Sequence, residues 1–282
     1  MPIKAVQQFM LGTVMNKEAQ ALDTMRKMKE AGYDGIELCG FMIHPSAFLV
    51  KIMTKAAGMP VGNGGKLEWK RLVRESGLKV VSIHQDLGSI ERDAAAVAKE
   101  AEEFGTNRIV ITGMYRFPYG DGEEIKKLAE RLNQAGKNLK TEGIELFYHN
   151  HNCEFLQVAP GKNAYQVLVE ETDPELVNFE FDSYWCAECG ENPFTVMETL
   201  GRRMKLWHIN DRGTRQAGPC MTPILKSDSM ELGTGTMPLR ALSQKAKELG
   251  VEAVILESHR NWIEKSPVKS FECSARFLRE NF

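Results

Sequence analysis

The sequence predicts an α/β chain folded as a single (β/α)8, or TIM, barrel. Short apolar, strand-like runs alternate with amphipathic helical stretches eight times along the chain. No Gly/Ser-rich linker divides the 282 residues into separate units. Polar residues of ligand type stand at the ends of most of the strand-like runs, where a barrel carries its chemistry.

Ala5 to Phe9 is the first short strand, and Asn16 to Ala31 its helix, with Ala19, Leu22, Met25 and Met28 at helical spacing and Gly32 as the stop. Gly35 to Cys39 is the second strand. An excursion at about residues 41–77 follows, containing His44-Pro45, a helix to Ala57, the turn-rich Gly58 to Gly65 and another helix. A loop-rich insertion here is expected to cover the barrel mouth, with Met42, Phe48 and Met53 as an exposed apolar surface. Lys79 to His84 is strand three, with a helix from Ile90 to Phe104, and Arg108 to Thr112 is strand four, with a helix from Glu123 to Thr141.

The rhythm continues with Ile144 to His149 and a helix from Asn163 to Glu171, then Val177 to Asp182 and a helix from Pro193 to Leu200. Met204 to Ile209 leads into a long polar loop to Gly235 and a helix from Pro238 to Leu249. Ala253 to Glu257 is the last strand, and Pro267 to Glu280 the closing helix.

Hydrophobic residues at 43% and charged residues at 26% are ordinary for a globular protein. A net charge of −2 leaves no basic footprint for nucleic acid or an anionic membrane. No apolar run is long enough to span a bilayer, and Met1 to Gly12 lacks a secretory pattern, so a cytoplasmic location is expected. The six cysteines are scattered in a chain too large to need disulfide staples, and reduced thiols are expected. Cys186 and Cys189 have the spacing of a zinc or redox pair, but no second such pair accompanies them.

The strand ends carry Gln8, Glu37, His84, His149 with His151, Asp182, His208 and Glu257. Period-two alternation turns Glu145, Phe147 and His149 to one face of their strand and Leu146 and Tyr148 to the other, and His151 continues the face of His149. Each polar residue alone has a plain explanation, as a helix cap, a turn or a satisfied core imidazole. Together they imply a site, because polar groups converging on one mouth must otherwise be desolvated without compensation. His149, Asp182, His208 and Glu257 are the expected metal ligands. Two carboxylates and two imidazoles suit Mn²⁺, Co²⁺, Fe²⁺ or Zn²⁺ better than Ca²⁺, and two negative charges roughly neutralise one divalent ion per chain. Such an ion acts as a Lewis acid on a carbonyl and raises the acidity of the neighbouring carbon.

The runs Phe147 to Phe155, Glu170 to Val177, Phe181-Asp182 with Trp185, Leu206 to Asp211 and Glu231 to Gly235 resemble the xylose-isomerase-like sugar phosphate isomerase/epimerase superfamily of TIM barrels. The resemblance implies one divalent metal, Mn²⁺ before Co²⁺, Fe²⁺, Zn²⁺ or Mg²⁺, at the ends of strands five to eight. By motif those positions are His149, Asp182, His208 and Glu257, with His149 standing where the superfamily more often has Glu; Glu154 or water is the alternative ligand. The resemblance also makes His151 the general base and places Glu37 and His84 along the substrate pocket, either of them a candidate for a second, catalytic acid; Gln8, Trp185 and Arg260 are further expected substrate contacts. The implied reaction is proton abstraction α to a carbonyl of a sugar or polyol, followed by reprotonation in an isomerase or epimerase, or by loss of a leaving group from a keto-sugar, inosose or 3-keto-glycoside in a lyase or dehydratase.

Apurinic endonucleases share this superfamily, but the near-neutral charge and the lack of basic, aromatic-interleaved loops argue against DNA. A sugar-binding barrel without catalysis, a subunit of a larger assembly and a homo-oligomer are the remaining alternatives. For phosphate, Gly233-Thr234-Gly235 is the one candidate cradle, with Arg212, Arg215 and Arg260 as possible anion partners.

Overall fold

Eight parallel strands close a barrel: β1 (Ile3–Gln7), β2 (Gly35–Cys39), β3 (Lys79–Gln85), β4 (Arg108–Ile111), β5 (Glu145–His149), β6 (Val177–Asp182), β7 (Met204–Ile209) and β8 (Ala253–Leu256). The computed structural model describes residues 1–44, 64–216 and 218–282. Neighbours in sequence are neighbours in the barrel, and β1 closes it by pairing with β8 from Ile3↔Ala253 to Val6↔Leu256. Helices α1 (Glu18–Ala31), α2 (Trp69–Ser76), α3 (Ala94–Glu103), α4 (Gly122–Thr141), α5 (Ala164–Glu171), α6 (Pro193–Leu200), α7 (Leu239–Leu249) and α8 (Pro267–Asn281) surround the barrel. Among the described residues no helix is long and apolar enough to cross a membrane.

Alternation along the strands divides the protein into two cores. Outward side chains such as Leu146, Tyr148, Phe179, Phe181 and Trp207 join the large cluster shared with the helices. Inward, Ala5, Val81, Val110, Phe147, Leu206, Ala253 and Ile255 fill the barrel as a separate apolar plug. At the N-terminal ends of the strands, ion pairs of Lys205 with Glu145 and Arg108 with Glu252 lie below that plug. At the C-terminal ends the inward positions are almost all polar. The apolar plug is therefore the floor on which the polar cluster stands.

Helix α4 packs through Ile125, Leu128, Ala129, Leu132, Ala135 and Leu139, one stripe at helical spacing, and Asp121 caps its first turn through Glu123 N and Glu124 N. Gly136 lies on this face so close to the backbone of Leu176 that a Cβ would overlap its carbonyl oxygen. Gly136→Ala gains about 1 kcal/mol of helix propensity but forces α4 off the barrel, where overpacking costs about 1–3 kcal/mol. A lower melting temperature for this variant is the expected result, and an unchanged or higher one would show that the helix shifts freely.

Several sequence expectations are corrected here. Strand β1 ends at Gln7, with a short 3-10 turn over Gln8–Leu11, so Gln7 and not Gln8 takes the last inward position. The helix expected from Ile90 to Phe104 is two, Leu87–Arg92 and α3, because Asp93 leaves helical geometry and caps α3 through Ala96 N. The polar loop after β7 contains an antiparallel hairpin, Asp211–Thr214 with Ser227–Met230. Met42, expected on the surface, is buried against Phe9 and Cys39 on the short helix Gly40–Ile43. Phe48, Met53 and most of the helix expected up to Ala57 lie outside the described residues.

Candidate metal centre and active site

Strand register brings the site together. Gln7 lies opposite Glu37, Cys39 opposite His84, His149 opposite Glu180, and Asp182 opposite His208. In Val177-Asn178-Phe179-Glu180-Phe181-Asp182 the apolar residues face the helices and the polar ones the barrel, so Glu180 and Asp182 both point inward. Glu37, Glu180 and His208 are fully enclosed, His149 and Asp182 are 2% exposed, and His84 and Glu257 are 7% exposed.

Two groups of donor atoms share His208. The outer group is His149, Asp182, His208 and Glu257, and the inner group is Glu37, His84, Glu180 and His208; the ligand atoms of each group lie within 4.8 Å of one another. In the outer group, His208 Nδ1 is 3.1 Å from Glu257 Oε2 and 3.9 Å from Asp182 Oδ2. Its other ring nitrogen, Nε2, is 2.6 Å from Glu37 Oε2. A proton on Nε2, donated to Glu37, leaves the Nδ1 lone pair facing the outer group, the arrangement that orients a metal-binding imidazole. Asp182 uses Oδ1 to cap the helix Ser183–Glu188 through Trp185 N, which leaves Oδ2 to the outer group. Asn150 clamps the ends of β5 and β6, accepting from Asp182 N and donating to Asp182 O.

The donor set fits a divalent cation on the protein's own evidence. Among the described residues, the ion pairs of Glu37, Glu180, Asp182 and Glu257 are all with imidazoles. His149 Nδ1 and Glu180 Oε1 are buried without a hydrogen-bond partner, although His149 Nδ1 is 3.1 Å from Glu180 Oε2. Burial raises the Asp182 carboxyl to about 6, against the pull of His149 and His208. Burial would lower His84, but Glu37 and Glu180 outweigh it and raise that ring to about 10. His208 is raised well above its usual range in the same way by Glu180 and Glu37. Burial opposes ionisation of Glu257, yet His259 and His208 hold it below the usual carboxylate range. The carboxylates thus call for positive charge among the donors, which a divalent ion supplies.

His151 stands at the rim, half-buried, with its ring 4.9 Å from that of His149 and 6.2 Å from that of Trp185. Desolvation, then the neighbouring His149, push its pKa down to about 3, so the ring is neutral at pH 7. Its backbone N donates to Glu154 Oε2, and Tyr148 OH donates to Glu154 Oε1, both at 2.8 Å. Glu154 is therefore engaged beneath the loop, whereas His149 faces the outer group.

The remaining expected residues are spread more widely. Trp185 walls the mouth beside His151 and His259, and its buried indole Nε1 has no partner among the described residues. Glu37 lies in the inner layer, bonded to Gln7, Ser82 and His208. His84 lies beside it and also borders a cavity of about 560 Å³ that runs past Phe41, Gln85, Thr112 and Tyr115. Gln8 is enclosed, its Oε1 accepting from Cys39 N. Arg260 points away on the surface to Asp228, and Arg212 and Arg215 pair with Glu188 and Glu231. Gly233 N and Gly235 N both donate to Asp211 Oδ2, so the possible phosphate cradle already holds a carboxylate. All six cysteines are free thiols.

Three site residues were missed from the sequence. Glu180 had a clear signal, two positions before Asp182 on the same face. His259 repeats after Glu257 the spacing of His151 after His149, and its ring lies 5.5 Å from those of both Phe9 and Trp185. Gln7 was displaced only by the misplaced end of β1.

A family model for the xylose isomerase-like TIM barrel matches residues 25–281. An inosose dehydratase of Mesomycoplasma hyopneumoniae is 35% identical over 94 residues, 33% of this chain and 30% of that protein. The chain thus aligns with about a third of the length of that relative. A sugar phosphate isomerase/epimerase from Parabacteroides distasonis superposes with a TM-score of 0.76 at 22% identity, covering 99% of this chain and 94% of that one. The IOLI protein with a bound zinc atom superposes with a TM-score of 0.68 at 14% identity, covering 99% of each chain. The chain belongs to the xylose isomerase-like TIM-barrel family.

Proposed function

We propose that this protein is a metal-dependent enzyme of sugar or polyol metabolism that removes a proton from the carbon next to a carbonyl. The observation that carries this reading is the His151 ring at the rim, two residues beyond His149 of the outer group and walled by Trp185. The outer group would hold one divalent ion, Mn²⁺ before Co²⁺, Fe²⁺, Zn²⁺ or Mg²⁺, and zinc in the IOLI structure supports such a site. When bound, the ion supplies Lewis acidity that polarises a substrate carbonyl and stabilises the enolate charge.

The protein's side chains do the rest. The His151 ring, between His149 and Trp185 at the rim, is the group to take the substrate proton. Glu37 holds the Nε2 proton of His208 and so keeps Nδ1 free to bind. Trp185 offers an apolar face to a polyol at the mouth. Because Asp211 fills the Gly233–Gly235 turn and the three arginines are paired, an unphosphorylated substrate fits better than a phosphate ester.

Isomerisation can return the proton through the same base, inversion at one carbon needs an acid on the opposite face, and elimination expels the β leaving group after the same first step. The partial match to an inosose dehydratase supports elimination as a second reading. Mass spectrometry of products from Mn²⁺-loaded protein with keto-sugars, inososes and 3-keto-glycosides tests both. Isomers keep the substrate mass, a dehydrated product lacks one water, and a cleaved glycoside releases its aglycone. Binding of these compounds without any turnover would leave only a sugar-binding barrel.

A further inference from the structure

The inner group has more acceptors than its protons can serve. His84 Nε2 is 2.9 Å from Glu180 Oε2, 3.1 Å from Glu37 Oε2 and 3.2 Å from Gln7 Nε2. One ring nitrogen carries at most one proton, so it cannot donate fully to two carboxylates while also facing an amide donor. Glu37 and Glu180 are both fully enclosed, and their Oε2 atoms turn toward this same nitrogen, although like charges repel. Among the described residues Glu180 Oε1 has no partner.

The charge count points the same way. Four buried carboxylates, Glu37, Glu180, Asp182 and Glu257, have only imidazoles as ion-pair partners among the described residues. One divalent ion in the outer group balances two of their charges, and the rest is left to a proton on His84, in a place with little water to screen it. The separations of 2.9 and 3.1 Å are also close to the roughly 3 Å edge between adjacent ligands of an ion with bonds of about 2.1 Å.

We propose that the inner group is a second divalent-cation site, with Glu37, His84 and Glu180 as its ligands. The fitting ion is a first-row transition metal of the zinc or manganese kind, given one imidazole and two carboxylates. Gln7, whose amide already touches Glu37 and His84, completes the set when its carbonyl oxygen faces inward. His208 stays neutral between the two sites: its Nε2–H donates to Glu37, a ligand of the inner ion, and its Nδ1 faces the outer one. Two divalent ions then balance the four carboxylates. The role of the inner site is to set the charge and orientation beneath the outer ion.

This inference takes the outer group as a metal centre, and the test separates the two. Chelated protein is reloaded with Zn²⁺, desalted, and its zinc counted by elemental analysis, with folding of each variant checked by circular dichroism. The expected counts are two ions per chain for the unaltered protein, one for Glu180→Gln and one for Asp182→Asn. A single ion in the unaltered protein that survives in Glu180→Gln and is lost in Asp182→Asn would overturn the inner site and leave the outer one standing. A single ion with the opposite response would uphold the inner site and overturn the proposed function. Should Glu180→Gln not fold, anomalous diffraction from zinc-loaded crystals of the unaltered protein decides. Two peaks, one of them among Glu37, His84 and Glu180, are expected, and an unoccupied inner group would refute the proposal.

Discussion

His151→Asn is expected to lower kcat by about 10²–10⁴-fold while metal content and ligand binding are retained, because the carbonyl is still polarised but no ring takes the proton. The variant should fold normally. Its side chain touches the rest of the protein mainly through rings at the rim, and the bond from its backbone N to Glu154 does not depend on the imidazole. Steady-state kinetics and metal analysis on the same preparation check this. A loss below tenfold would assign the proton to water or to another group, and His259, across Trp185, would be the first to examine.

Glu257→Gln is expected to have an effect of similar size by a different route. Glu257 contributes one of the two negative charges of the outer group, and its Oε2 faces His208 Nδ1 at 3.1 Å. Substituting a neutral amide should weaken the outer ion by at least about 10²-fold, beyond the roughly 10–100-fold usual for losing a group that only supports a ligand. Activity should fall with occupancy and recover in part with excess Mn²⁺. Metal titration followed by assay at saturating ion separates lost affinity from lost chemistry. Unchanged affinity would remove Glu257 from the outer group.

Much of the barrel was legible because its strands carry their own pattern. β6 reads Val-Asn-Phe-Glu-Phe-Asp, a full alternation between helix-facing and barrel-facing side chains, and Pro193 and Pro267 mark the starts of α6 and α8. Errors arose where local pattern was weak. β1 follows only one apolar run and then enters a 3-10 turn that keeps Gln8, Phe9, Met10 and Leu11 buried, so burial there did not mean strand. Asp93 lies in an otherwise continuous helical stretch, and only its capping geometry shows the break. The hairpin after β7 is made of polar residues held by pairing and by Asn261 and Ser258, which no apolar period announces.

The site was legible as a set of residues but not as layers. Glu37, His84, His149, Asp182, His208 and Glu257 could all be named from strand ends. Which of them stand above and which below depends on register, since Gln7 pairs with Glu37 and His149 with Glu180 around a closed barrel. Arg260 was drawn in by its nearness in sequence to Glu257, yet its guanidinium turns outward to Asp228. A positive charge alone does not say which way a side chain points.

In the proposed reaction this barrel removes a proton next to a carbonyl under the influence of a bound divalent ion. Solvent-deuterium exchange followed by mass spectrometry tests it most directly, because it detects proton removal whether or not the products differ from the substrate. Incubating keto-sugars, inososes and 3-keto-glycosides in deuterated water, with chelated and with Mn²⁺-loaded protein, should give deuterium at one carbon of at least one compound, in the loaded protein only, and much more slowly in His151→Asn. Measurable binding with no deuterium uptake or turnover in any of them, or uptake that is the same after chelation, would contradict the account.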